Sequence, residues 1–348
     1  MSAVTESTSA RWATSTWRDE AYTWIDRTLR ERGLRRTGEI EQPRIRFWST
    51  QLTVPTETGR LWFKENCPSQ AHEARLVEVL AELVPDHVVA PLAVQPDRGW
   101  LLTPDAGPTL RRVSRDRLDD RLDLWVRLAT DWADLQRRVV PYVDRLVAAG
   151  VPVAPPSDAP GLLAERIEEY AALPPDDPAH LEADSARRLR AALPTLTAWA
   201  EQVAAAELPL SLDHNDLHDA NAFAPRTGEE QLRFFDFGDS VVGHPFGSLL
   251  IALNVLAAER ETAEDDPALS DDPALRRVVD AYLESWSDLA DPATLRAAVD
   301  PARQLARLHR SECWRRVLRS ADAAERAEWG DAPTAWLATF LDHPTFST

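Results

Sequence analysis

The sequence predicts an α+β chain of two lobes: a small N-terminal lobe built on an antiparallel sheet and a larger, mainly helical C-terminal lobe. Three observations predict it. The first is length, since 348 residues are long for one core and comfortable for two. The second is a change of texture. From Gly38 to Thr103 strand-like runs dominate, interrupted by one helix, whereas beyond Pro108 apolar positions recur mostly at helical spacing. The third is the turn-rich break Pro104-Asp105-Ala106-Gly107-Pro108, which sets the expected lobes at 1–104 and 105–348.

Taken in order, residues 1–10 are Ser/Thr-rich and expected to be disordered. Trp17, Tyr22, Ile25 and Leu29 recur at helical spacing over 16–33, and Gly33 stands where a C-cap belongs. Strands are expected at 40–45 and 47–54, then a tight turn Thr56-Glu57-Thr58-Gly59 into a third strand that carries Lys64. A helix over 70–83 places Leu76, Val79, Leu80 and Leu83 on one face, and further strands are expected at 88–94 and 99–103. The helices of the second lobe are expected at 109–117, 120–147, 161–174, 182–206, 247–260, 273–288, 292–319 and 321–341. The acidic run 261–272 reads as a solvated loop.

Composition excludes several classes. Hydrophobic content of 44% with 28% charge is that of a soluble globular chain. No apolar run is long enough to span a membrane, and residues 1–20 hold no apolar leader. Cys67 and Cys313 match no metal or redox spacing, so both are expected as reduced thiols of a cytoplasmic protein. A formal charge of −18 argues against nucleic acid or an anionic membrane as partner and suits a cationic small molecule. Among 39 cationic residues only Lys64 is a lysine, which marks a position where a compact ammonium on a flexible stem is wanted in place of a guanidinium.

The chemistry gathers in Leu212–Gly238. Asp213-His214-Asn215-Asp216-Leu217-His218-Asp219-Ala220-Asn221 is followed, after a polar interval, by Phe234-Phe235-Asp236-Phe237-Gly238. This spacing suits phosphoryl transfer: Asp216 orients an attacking hydroxyl, while the Asn221 amide oxygen and the Asp236 carboxylate hold metal ions on the phosphates. Lys64 on a strand and Glu73 on the next helix are the ion pair expected to position the α- and β-phosphates, with Glu78 as rival. Ser49 and Thr50 lie where a phosphate-covering loop is expected, although that loop holds no glycine. Backbone groups of Thr103 to Asp105 would bond an adenine, with an apolar wall from Leu102. His214 and His218 are expected to be structural. Set against this, Asp and Asn gather in ordinary turns, 234–237 could be a plain core strand, and two histidines four apart could bind zinc, although no third ligand is near.

At these residues the chain resembles the aminoglycoside phosphotransferase and choline kinase-like family. The His-x-Asp-x-x-x-x-Asn motif of that family corresponds to His214, Asp216 and Asn221, and Phe235 to Asp239 is similar to its metal-binding segment. The resemblance covers roughly 38–260. It implies a two-lobed protein-kinase-like fold, Mg²⁺ and ATP as donor, a small-molecule hydroxyl as acceptor, and Asp216 as base. Asp239 would be a supporting residue. Trp62-Phe63-Lys64, Trp100-Leu101-Leu102 and His244-Pro245-Phe246 look like an actinobacterial subgroup of unassigned substrate. Two departures stand out: Gly243-His244-Pro245 where many members have Gly-Asp-Pro, and Ser248-Leu249 in place of Asp-Leu.

The acceptor is expected to be an aminosugar, aminoglycoside or similar polar molecule, met by C-terminal helix residues such as Arg310, Glu312 and Trp314. Arg310 and Trp314 would share a helix face. A competing expectation is a nucleotide-binding pseudokinase that acts as a regulatory partner, against which the intact Lys64, Asp216, Asn221 and Asp236 weigh. Protein substrates fit less well, because only Asp239 to Phe246 separate Gly238 from the next helix.

Overall fold

The computed structural model describes residues 7–114, 121–225, 228, 230–260 and 272–346. Helices α1 (Thr8–Trp12) and α2 (Ser15–Glu31) open the chain, capped by the side chains of Ser7 and Thr14. The disorder expected over residues 1–10 does not hold for 7–10, where Ser7 caps α1, Trp12 is fully buried and the Thr8 hydroxyl donates to the Phe47 carbonyl; residues 1–6 lie outside the described residues. Strands β1 (Glu41–Arg46), β2 (Ser49–Thr56) and β3 (Gly59–Asn66) form the expected meander. Gly59 takes φ 124° at its second turn, which favours glycine. Helix α3 (His72–Leu83) follows a 3₁₀ turn at Pro68–Gln70.

Strands β4 (Ala93–Gln95) and β5 (Trp100–Pro104) complete an antiparallel sheet of order β1-β2-β3-β5-β4. The strand expected over 88–94 is thus mostly absent. Val88 makes one isolated bridge to Phe234, and Pro91 removes a ladder donor from the run.

The rest is mainly helical. Helices α4 (Leu110–Ser114), α5 (Arg121–Val139) and α6 (Val143–Ala148) precede a short strand β6 (Val153–Ala154). Next come α7 (Ala159–Ala171) and α8 (Ala183–Ala205). Four short strands follow: β7 (Ser211–Asp213), β8 (Ala222–Phe223), β9 (Arg233–Phe234) and β10 (Val241–Gly243). The chain then runs through α9 (Leu249–Glu259), α10 (Pro273–Glu284), α11 (Pro292–Val317), α12 (Ala323–Trp329) and α13 (Ala332–Ala338). Two expected helices are divided. That over 120–147 breaks at Pro141, and that over 321–341 breaks between Gly330 and Asp331, ahead of Pro333. The acidic run lies outside the described residues except for Asp272, which caps α10.

One face of the sheet packs on α2, with Trp24 edge-on to Phe63 and Trp100. Val317, Leu318 and Ala321, at the end of α11 and beyond, belong to the same apolar cluster. Helix α3 instead puts Leu76 and Leu80 into the large core formed with α5 and Phe237. The other sheet face is left to roof a cleft. Among the described residues no helix is long and apolar enough to cross a membrane.

Candidate active site

Lys64 stands on β3 opposite Gln51 of β2 and Leu101 of β5. Glu73 lies in the first turn of α3. Asp236 follows β9 in a left-handed conformation (φ 66°), which aspartate tolerates better than most residues. The fold brings all three together: Lys64 Nζ donates to Glu73 Oε2 at 2.6 Å and to Asp236 Oδ1 at 2.5 Å. Burial works against the ammonium charge, but Asp236 and Glu73 outweigh it and raise the Lys64 pKa. Burial likewise disfavours the Asp236 charge, and Lys64 overrides it, so this carboxyl lies below its ordinary value. Glu73 is anchored in turn, since Oε1 accepts the Phe237 amide at 2.9 Å and Oε2 accepts from the Asn66 side chain. Glu78 pairs instead with Arg75 on the outer side of α3.

Strand β7 leads into the loop that carries Asp216 and Asn221. The Asn221 amide nitrogen donates to the Asp216 carbonyl at 2.9 Å and to Asp216 Oδ2 at 3.2 Å, which turns the amide oxygen the other way. Asp216 keeps 30% of its side chain exposed. Burial alone would raise its pKa, but the Arg310 guanidinium, 3.6 Å from Oδ1, and His218 hold it well below the usual carboxylate range. Asp216 is therefore charged at neutral pH.

The loop is braced from beneath. Asp213 is fully buried and its Oδ1 accepts the Asn215 amide at 2.9 Å and the Ser248 hydroxyl at 2.8 Å. Ser248 Oγ accepts the His214 amide at 3.2 Å. The serine that departs from the Asp-Leu pattern thus still satisfies the loop, with the carboxylate supplied from the other side by Asp213. His214 is buried, bonds the Phe235 carbonyl at 3.0 Å and meets Trp132 edge-on, as expected of a structural residue. His218 Nδ1 accepts the Ala220 amide at 3.1 Å, so the two histidines serve the loop and do not form a pair aimed at one metal.

Asp239 joins the lobes. It accepts from Arg310 at 2.7 Å, from the Cys313 thiol at 2.7 Å and from Gln70, which belongs to the turn before α3. Burial and then the Asp239 charge push the Cys313 thiol up, which keeps it a donor.

Asn221 and Asp236 offer hard oxygen donors of the kind Mg²⁺ takes, and the free amide oxygen of Asn221 fits that use. Among the described residues no group of three His, Cys, Asp or Glu side chains gathers as a metal site. Phosphate oxygens and water would have to complete the shell.

A cavity of about 830 Å³ runs from Lys64 and Asp236 to the connector at Thr103–Asp105. Trp62, on the same face of β3 as Lys64, lines it from the sheet, and Phe223 and Phe235 line it from the other lobe. These two phenyl rings stack at 4.2 Å. The sequence signal for this apolar end is the residue two before Lys64 and the residue just before Asp236, both aromatic.

Four expected site residues are placed elsewhere. Leu102 points into the core against α2, because strand alternation gives Leu101 and Thr103 to the cleft. Ser49 is buried and its hydroxyl is engaged by Arg44 at 3.1 Å. Glu312 pairs with Arg166 at 2.7 Å beside a different cavity. Trp314 stacks on Trp329 at 5.5 Å and meets Trp48 of the β1–β2 turn edge-on, so interlobe packing takes the ring expected to face an acceptor. Arg310 alone of the three C-terminal candidates reaches the loop. Asn66, Gln70, Asp213 and Cys313 were not anticipated, since a buried polar brace leaves no spacing signature.

No protein-family model matches the chain, and no curated protein sequence matches it. Solved structures do. The Plasmodium vivax ethanolamine kinase is 13% identical with TM-score 0.61, the match covering 94% of this chain and 90% of that one. The GDP complex of aminoglycoside 2'-phosphotransferase-IIIa is 19% identical with TM-score 0.56, over 92% and 98%. The macrolide 2'-phosphotransferase of Brachybacterium faecium is 14% identical with TM-score 0.56, over 89% and 97%. The chain has the two-lobed, kinase-like α+β fold that these small-molecule phosphotransferases share.

Proposed function

We propose that this protein transfers the γ-phosphoryl group of ATP, bound with Mg²⁺, to a hydroxyl of a small polar molecule. The observation that carries the reading is that Lys64, Glu73 and Asp236 meet at one end of the cleft while the Asp216–Asn221 pair is tied to the same segment, the Asn221 carbonyl accepting the Phe235 amide at 3.1 Å. In this reading Lys64, held by Glu73, binds phosphate oxygens, and Trp62 with Phe223 and Phe235 encloses the base. Asn221 and Asp236 hold Mg²⁺, which when bound neutralises phosphate charge. Asp216, ionised and oriented by Asn221 and Arg310, accepts a hydrogen bond from the acceptor hydroxyl and aims it. A loose transition state asks for orientation more than for a strong base.

An amino-bearing acceptor suits a chain of net charge −18. The ethanolamine kinase and aminoglycoside phosphotransferase among the neighbours favour the same class, and the GDP bound in one of them makes GTP a donor worth including. The test is turnover with Mg-ATP and Mg-GTP over aminosugars, aminoglycosides, macrolides and amino alcohols, read by mass spectrometry. A product gaining one phosphoryl group is expected, and Asp216→Asn should lower its rate by about 10²- to 10⁴-fold. Full turnover by Asp216→Asn would remove that residue from its role. Tight nucleotide binding with no product from any acceptor would favour the pseudokinase.

A further inference from the structure

The β1–β2 hairpin occupies the place of a phosphate cover, yet Glu41–Thr56 contains no glycine to bring backbone amides close to an anion. Something else must supply donors there. Strand register points to it. Arg44 pairs with Gln51, Gln51 with Lys64, and Lys64 with Leu101. Residues directly opposed on antiparallel strands project to the same face. Gln51, Lys64 and Leu101 all line the cleft, so Arg44 ends the same row on the same face. It stands two strands from Lys64, about 10 Å at the backbone, within reach of an extended arginine side chain over the ground between.

The guanidinium is also held. One terminal nitrogen donates to Ser49 Oγ at 3.1 Å, while Nε is buried and has no partner among the described residues. A buried charged donor without a partner is costly, and an incoming anion removes that cost. We infer that Arg44 binds the terminal phosphates of the nucleotide from the hairpin, doing with one planar cation what a glycine-rich loop does with backbone amides. Ser49 then acts through Arg44, as the residue that aims it.

This inference rests on the triphosphate reading of the same cleft. Calorimetric titration of the full chain with Mg-ATP, Mg-ADP and adenosine tests it without any turnover. Arg44→Met keeps the aliphatic stem and should weaken Mg-ATP about 10- to 100-fold, Mg-ADP less, and adenosine not at all. Arg44→Lys should fall between, because a single ammonium retains charge but loses the fork. Unchanged adenosine affinity certifies that the variant is folded. Equal weakening of all three ligands, or no weakening of Mg-ATP, overturns the assignment in favour of a purely structural arginine. If the wild type binds adenosine but gains nothing from phosphates, the triphosphate reading falls and this one with it.

Discussion

The floor of the cleft and its roof are built on opposite plans. The floor is braced first from within one stretch: inside 211–248 Asp213, His214, Asn215 and Ser248 bond one another and Phe235 accepts from His214, with Gln136 of α5 and Arg310 of α11 adding bonds to Leu212 and Asn215 from outside. The roof depends on partners far away in sequence. Its hairpin turn, Phe47-Trp48, is held by Thr8 on one side and by Trp314 and Trp329 on the other. Ser9 of α1 reaches across 316 residues to Glu325. Local bracing lets a loop hold its shape through the contacts it makes with itself, whereas a long-range clasp ties the roof to the end of α11 and to α12. Opening the cleft in this molecule therefore means breaking packed aromatic contacts as well as bending a connector.

The sharpest way to break that contrast is Trp314→Ala. It removes the ring stacked on Trp329 and edge-on to Trp48, and should cost about 2–3 kcal/mol of stability in denaturant titration. Native-state hydrogen exchange supplies the comparison. Amides of the β1–β2 hairpin should exchange faster, while those of 211–216 keep their protection. If both regions loosen to the same degree, floor and roof are one cooperative unit and the distinction is wrong.

Gly247→Ala probes the other side. A Cβ at residue 247 would collide with Asp213 Oδ2, a buried atom, and would also press on the Ala306 Cβ at 3.4 Å, so the loop brace must shift. The expected loss is about 1–2 kcal/mol, with exchange at 213–216 accelerated and the hairpin left as it was. Should the variant instead keep wild-type stability, the Asp213 brace is softer than its burial implies.

This division also explains what the sequence disclosed. Asp216, Asn221 and Asp236 could be picked out because they stand at short spacings within one stretch, and Lys64 because it is a single lysine among arginines, with Glu73 on the helix that follows it. The sheet meander and α3 could be read from alternation and helical period. Trp314 could not. A tryptophan on a helix face looks the same whether it meets a ligand or another tryptophan, and only tertiary structure brings Trp48 to it. Leu102 failed for a smaller reason: within β5 a one-residue error exchanges cleft for core. Asp239, placed only as a supporting residue, proved to be a junction, because Gln70, Arg310 and Cys313 reach it from three separate parts of the chain.

Protonation offers the mildest comparison. His244 belongs to the floor, where burial pushes it down to about 3 despite the opposing Asp213 charge. His72 opens α3 beneath the roof, where burial and then the Arg316 and Lys64 charges push it down to about 4. Both are neutral when folded and both would take a proton near pH 6.5 when unfolded. Between pH 6.5 and those depressed values the unfolded chain binds more protons, so stability falls as pH falls. Each histidine should contribute about 1 kcal/mol of loss between pH 7 and pH 5.5, well above the range where carboxylates titrate. His244→Gln and His72→Gln should each flatten the stability profile over that interval by a similar amount, and the double variant by the sum, since one histidine sits in the floor and the other at the start of α3. A double variant no flatter than either single one would mean that the two buried imidazoles are coupled, so that replacing one already releases the other from its depressed state.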